Sequence, residues 1–186
     1  MNHIKNKKDL EATIEQIRKF AYSYLEKYSP SQQQLKTYLF KKIIKTGQKR
    51  ADKKELFNLI DIVTNKLIDQ NFISDKYYSD SKSKSFFRKG YSLNKIRYSL
   101  IKKGIDEKYI KASISKIKEQ ETDPDFFSAI KICNKRRIGP RREENNRSLF
   151  YKKDIGILAR AGFSYEISKK ILDLSKDEFK KLCKLI

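Results

Sequence analysis

The run Lys89-Gly90-Tyr91-Ser92-Leu93-Asn94-Lys95-Ile96-Arg97-Tyr98-Ser99-Leu100-Ile101-Lys102-Lys103-Gly104-Ile105 has degraded copies on either side of it, and that repetition narrows the possible folds sharply. Upstream, Ser31, Leu35, Leu39 and Lys42 align with Ser92, Ile96, Leu100 and Lys103. Downstream, Leu158, Arg160, Gly162 and Phe163 align with Leu100, Lys102, Gly104 and Ile105. Three imperfect copies at a spacing of about 60 residues indicate one supersecondary unit used three times. Small stacked units bury their faces against neighbours instead of closing one large core. The expectation is an elongated array with much surface and little interior, suited to an extended partner.

The hydrophobic pattern is helical throughout. Leu10, Ile14, Ile17, Ala21, Tyr24 and Tyr28 recur every three or four residues, which draws one amphipathic helix. Ser29-Pro30-Ser31 breaks it, and Ser31 with Gln34 forms a capping box for the next helix, which carries Leu35, Tyr38, Leu39 and Ile43 and closes at Thr46-Gly47. Asp52 and Glu55 open a third helix with Leu56, Leu59, Ile60, Val63 and Leu67 on its face, ending at Asn71. A weakly amphipathic helix follows from Ser74-Asp75 to Lys89, with Tyr77, Tyr78, Phe86 and Phe87 as its apolar content. Ser81 and Lys82 predict loose packing there. Ser92 and Asp106 cap the two helices after it, the first ending at Gly104. Asp123-Pro124 starts the next, a cap with proline at the first helical position. Asn134 to Arg147 reads as a polar loop around Gly139-Pro140, with a helix from about Tyr151 to Ala161. Ser164 caps another helix, and Ser175 with Glu178 makes a last capping box. No segment alternates with the two-residue period of a strand. The predicted fold is all-α: three tandem three-helix, helix-turn-helix-like repeats plus a short C-terminal helix. Its boundaries are an N-terminal extension over 1–19 and repeats over 20–73, 74–121 and 122–186, the last including the C-terminal helix.

Charge bears on partners. The chain has 44 Lys plus Arg against 23 Asp plus Glu, a net +21. Residues 1–73 carry 15 basic and 8 acidic groups, 74–121 carry 13 and 6, and 122–186 carry 16 and 9. The excess therefore belongs to every segment and not to a tail. Such a field favours polyanions and speeds encounter with them. A lysine-rich solvated surface, or a surface for an acidic protein, would show the same balance.

Other functions find less support. The one histidine, His3, sits at the terminus, and there is no Gly-rich phosphate loop or dinucleotide fingerprint. Glu143-Glu144 reads as local charge balance within a basic segment. With no constellation of positioned catalytic groups, the expectation is a protein that is not an enzyme and uses no cofactor or metal. Cys133 and Cys183 are two thiols without metal spacing, which fits packing roles in a reducing compartment. No 18-residue apolar run and no signal-type N-terminus is present, so the expectation is a cytoplasmic protein with no membrane contact.

Three signatures together resemble the RecX regulators of the bacterial recombinase RecA. They are the Gly90-Tyr91-Ser92 run through Lys103-Gly104-Ile105; Lys135-Arg136-Arg137 after an apolar helix; and Leu158-x-Arg160-x-Gly162-Phe163-Ser164-Tyr165-x-Ile167. Asn71-Phe72-Ile73-Ser74-Asp75 is a weaker match, with Asn71 and Ser74 where the family favours glycine and aspartate. The resemblance spans Phe20 to Leu174. It implies an all-helical modulator that lodges in the groove of the RecA–DNA filament and slows ATP hydrolysis and strand exchange.

Candidate filament- or DNA-binding residues follow from the basic clusters. Arg97, Lys102 and Lys103 belong to the central copy of the repeated helix, and Lys152, Lys153 and Arg160 to the third copy. Lys135, Arg136, Arg137, Arg141 and Arg142 flank Gly139-Pro140, read as a hinge whose arginines could all be changed to alanine without harm to the fold. Lysine and arginine contact phosphate without reading sequence. The expected partners are a RecA filament and, weakly and without sequence preference, single- and double-stranded DNA, met by a monomer. The alternative is a plain non-sequence-specific nucleic-acid-binding module. Tyr91, Tyr98 and Tyr165 near the repeated helix starts are candidates for base stacking.

Overall fold

The computed structural model describes residues 7–46 and 53–185, with side chains from Thr13 onward in the first helix. Among them are ten α-helices, one short 3-10 turn and no strand. The helices are α1 (Lys7–Leu25), α2 (Gln32–Lys45), α3 (Lys53–Asp69), α4 (Asp75–Arg88), α5 (Leu93–Ile101), α6 (Glu107–Gln120), α7 (Pro124–Arg136), α8 (Glu144–Arg160), α9 (Tyr165–Leu172) and α10 (Lys176–Cys183), with the 3-10 turn at Gly139–Arg141. The expected all-α class and the helix order of three triplets and a C-terminal helix are borne out. The Gly47 helix end and the Asp52 helix start fall outside the described residues, as do His3 and the side chain of Leu10.

The helices pack as two compact units. The first comprises residues up to Tyr78 with Lys103–Ile105. In it α1, α2 and α3 contact one another pairwise around Ile17, Ala21, Leu35, Leu39, Ile43, Leu56, Ile60, Val63 and Leu67. Each such side chain contributes roughly 1.5–3 kcal/mol when fully buried, so this small core suffices for a three-helix unit. Tyr28, expected on the α1 face, lies beyond the helix end and is exposed. Asn71 ends α3 in the left-handed region, φ 60°, where the Phe72 N–H reaches the Leu67 carbonyl at 2.9 Å. Asparagine tolerates that conformation better than most residues, so it can stand at the position where the family favours glycine.

The second unit comprises Ser79–Lys102 and Asp106 onward. Its larger core lies between α7, α8, α9 and α10, with Ile130, Cys133, Leu158, Phe163, Ile171 and Phe179 at the centre. Burial pushes the Cys133 thiol up to about 12, with nearby Asp154 and Cys183 adding to the shift. Among the described residues no other helix packs closely along α4, in keeping with the loose packing expected there. Its inward side is small and polar: Ser79 and Ser83 are buried, and Ser81 and Lys82 face outward. The Ser79 and Ser113 hydroxyls lie 2.8 Å apart, and Ser113 donates to Asp80 at 2.7 Å. Lys116 then closes on Asp80 at 2.6 Å. These polar contacts tie α4 to α6 at a few points, and a hydrophobic-periodicity reading does not register them.

The helix caps follow the sequence closely. Ser31 and Ser175 make complete capping boxes, and Ser92, Asp106, Asp123 and Ser164 each cap with a side-chain acceptor. Two of the serines have a second task. The Ser31 hydroxyl donates to the Lys103 carbonyl at 2.7 Å, and Ser92 donates to the Ala161 carbonyl at 2.9 Å. In each case a left-handed glycine comes next, Gly104 (φ +75°) or Gly162 (φ +89°). A Cβ there would collide with Gln33 in the first case and with the Ser92 hydroxyl in the second. Beside each joint a carboxylate accepts the first helical N–H: Asp75 from Gln32 at 2.8 Å and Asp125 from Leu93 at 2.7 Å. The sequence repeat thus encodes one four-part joint, used twice.

At the corresponding start of α8 the joint is absent. Glu143 occupies the cap position without a side-chain cap bond. Arg147 pairs with Glu144 at 3.2 Å and donates to the carbonyls of Leu172 and Leu174 at 2.8 and 2.6 Å, so this helix start is held by its own unit.

Candidate nucleic-acid interface

The segment read as a flexible basic loop is a built turn. Ile138, Gly139 and Pro140 are buried, and α8 begins at Glu144, seven residues before Tyr151, the start the sequence suggested. Asp154, 1% exposed, organises this turn. It accepts the Gly139 N–H at 2.9 Å and a bidentate pair from Arg142 at 2.7 and 2.8 Å. The Arg142 guanidinium also lies over the Phe150 ring at 4.5 Å. Fork-to-fork pairing of this kind is strong and geometrically specific. Arg142, expected as a free contact for a polyanion, is therefore corrected to a structural residue, and the expectation that it could be removed without harm to the fold falls with it. The sequence signal was present in Asp154, a lone acid on the inward side of α8, but its partner lies 12 positions away in a segment without periodicity.

The other candidates are solvent-facing. Lys102 and Lys103 are exposed after α5, and the Lys102 ammonium lies 4.5 Å from the Tyr98 ring centre. Arg97 is exposed yet bonded to Glu107 at 2.8 Å, which holds its pKa above the ordinary value. Arg137 caps α7 in the left-handed region, φ 54°, and Lys135, Arg136 and Arg141 stand exposed around it. Lys152, Lys153 and Arg160 are exposed on α8, with Lys153 5.5 Å from the Phe150 ring centre.

Within the second unit two of these residues meet two that the sequence reading did not single out. Lys135 and Arg136 share a concavity of about 230 Å³ with Lys89 and Lys95, floored by Gly90, Tyr91, Ile132 and Ala161. No acidic side chain lines it. The missing signal was available in the repeated run itself, where Lys89 and Lys95 bracket Gly90-Tyr91-Ser92. Among the stacking candidates, Tyr91 lies parallel to Phe86 with ring centres 5.1 Å apart and carries the Lys95 ammonium at 4.7 Å. Tyr98 carries Lys102 as described, and Tyr165 is 64% exposed. Among the described residues there is no cluster of three potential metal ligands, and no helix is long and apolar enough to cross a membrane.

An all-helical protein with a repeated, serine-jointed helix and basic surface clusters is the class these features define. No family model matches the chain. The chain is 27% identical over 156 residues to the regulatory protein RecX of Myxococcus xanthus (strain DK1622), covering 82% of each. The crystal structure of RecX from Lactobacillus salivarius superposes with a TM-score of 0.58 at 20% identity, over 93% of this chain and 97% of that one. A second crystal structure, of a regulatory protein RecX, gives 0.60 at 21% identity over 91% and 78%. The resemblance read from the sequence is borne out, and the chain is RecX-like.

Proposed function

We propose that this protein regulates the RecA recombinase by binding the RecA–DNA filament and lowering its ATPase and strand-exchange activity. The likeness to the M. xanthus RecX over most of both chains carries the reading. The basic groups Arg97, Lys102, Lys103, Lys135, Arg136, Arg137, Arg141, Lys152, Lys153 and Arg160 are its contacts, and Arg142 holds the turn that presents Arg137 and Arg141. The test is the DNA-dependent ATPase of RecA on single-stranded DNA at low salt. Substoichiometric protein lowers the rate and shortens the filaments if the reading is right. An unchanged rate at one protein per recombinase subunit overturns it in favour of the plain nucleic-acid binder, which the +7 carried by each sequence segment also supports.

A further inference from the structure

We propose that the concavity walled by Lys89, Lys95, Lys135 and Arg136 is a phosphate-binding site that grips the backbone of a single nucleic-acid strand. The inference deepens the DNA-contact part of the function proposed above and rests on it.

The first argument is charge. Four cations converge on one concavity with no lining carboxylate. None of the four has an acidic partner within 4 Å among the described residues. Helix ends explain only part of this. Lys89 follows the end of α4, and Lys135 and Arg136 sit in the last turn of α7. Ala161 in the floor ends α8 as well; a helix C-terminus carries about half a negative charge, so the three ends offset roughly one and a half of the four positive charges. The remaining positive charge faces solvent and is open to an anion.

The second argument is shape and floor. A volume of about 230 Å³ suits a phosphate with part of its sugar. Gly90, itself buried, lets the floor lie close on α7: its φ is +80°, and Lys131 and Ser128 atoms stand 3.1 and 3.2 Å from a hypothetical Cβ. The third argument is the treatment of the aromatic. With Phe86 stacked on the Tyr91 ring and the Lys95 ammonium over it, the ring is not offered to a base. Tyr91 instead holds Lys95 in place, so the site favours the charged backbone and is indifferent to sequence.

The experiment uses the full chain and a fluorescently labelled single-stranded oligonucleotide, with affinity followed by anisotropy over a salt series and no recombinase present. A K95Q/R136Q variant is compared with K111Q/K118Q, which removes the same two charges from exposed positions of α6. Circular dichroism and thermal melting confirm that both fold. For single strands the slope of log K against log salt is about −0.7 per phosphate neutralised. The cleft variant is expected to lose at least tenfold in affinity and to flatten the slope by about 1.4, while the α6 variant changes each by less than half as much. A strand with abasic sites throughout is expected to bind within about threefold of its base-bearing counterpart. Equal losses in the two variants, strong loss with the abasic strand, or no binding by the parent protein at low salt would each overturn the site. Since RecA is absent from these measurements, failure of the regulator reading in the ATPase assay is read separately.

Discussion

At the scale of single residues, the Arg142–Asp154 pair has the largest consequence. Asp154 is buried, holds a guanidinium by two short bonds and satisfies the Gly139 N–H. Removing one member of a buried pair leaves the other uncompensated, which typically costs about 3–5 kcal/mol. Asp154→Ala is therefore expected to lower stability by about 3 kcal/mol, read as a fall in the denaturant midpoint, and Arg142→Ala by at least as much, because it leaves the buried Asp154 carboxylate without its charge partner. A loss below about 0.5 kcal/mol for Asp154→Ala would show that the turn is held by its apolar contacts alone. Cys133 offers a second check. With its thiol pushed up to about 12 and no exposed surface, it holds almost no thiolate near neutrality, and thiolate is the nucleophile. At pH 8 an alkylating reagent should modify Cys183 first and Cys133 only after unfolding, as mass spectrometry of the peptides would show.

At the scale of elements, the sequence was legible wherever a helix is specified by local chemistry. Serine and aspartate caps, capping boxes and the left-handed glycines stand where their spacing put them, because each acts within four residues of itself. Misreadings arose where distant partners decide. The 134–147 segment takes its shape from Asp154, which holds Gly139 and Arg142 from a helix further along the chain. Of the candidate site, the basic residues could be listed from sequence, but their convergence on one concavity with Lys89 and Lys95 could not. The twofold joint gives two predictions at this scale. Gly162→Ala must take a strained φ and push against the Ser92 hydroxyl, at a cost of at least about 2 kcal/mol. A stability within error of the parent would mean that the α5 start moves freely. Burial is the main influence raising the carboxyls of Asp75 and Asp125, and their bonds from Gln32 and Leu93 offset it only in part. A carboxyl whose pKa is raised by folding binds protons better in the folded state, so its contribution to stability is greatest at low pH and declines as pH rises through the folded value. Asp125→Asn keeps an acceptor without the burial penalty. It should equal or exceed the parent in stability at pH 7, whereas Asp125→Ala loses about 1 kcal/mol with the Leu93 N–H unpaired. Between pH 4 and 7 the asparagine variant should also lack part of the parent's decline. If its pH profile superimposes on the parent's, Asp125 does not titrate differently in the folded state.

At the scale of the molecule, the basic groups compete as contacts with the N-terminal arm. Lys7 and Lys8 stand in the first turn of α1, at the N-terminal end of the described residues. Arg136 and Arg141 are already placed by α7 and the 3-10 turn. R136A/R141A, which spares Arg142 and hence the fold, should weaken association with RecA filaments more than deletion of residues 1–8. The reverse order, measured by co-sedimentation with filaments, would make the arm the principal contact. The joint itself has a further meaning. Where serine stands at the start of α2 and α5, one hydroxyl both caps its helix and donates to the carbonyl before a left-handed glycine; where Glu143 stands, α8 is held by the bonds of Arg147 instead. Loss of either the Ser31 or the Ser92 hydroxyl would therefore remove two bonds at once, a helix cap and a long-range tie, so that local fraying and loss of closure come together at these two points.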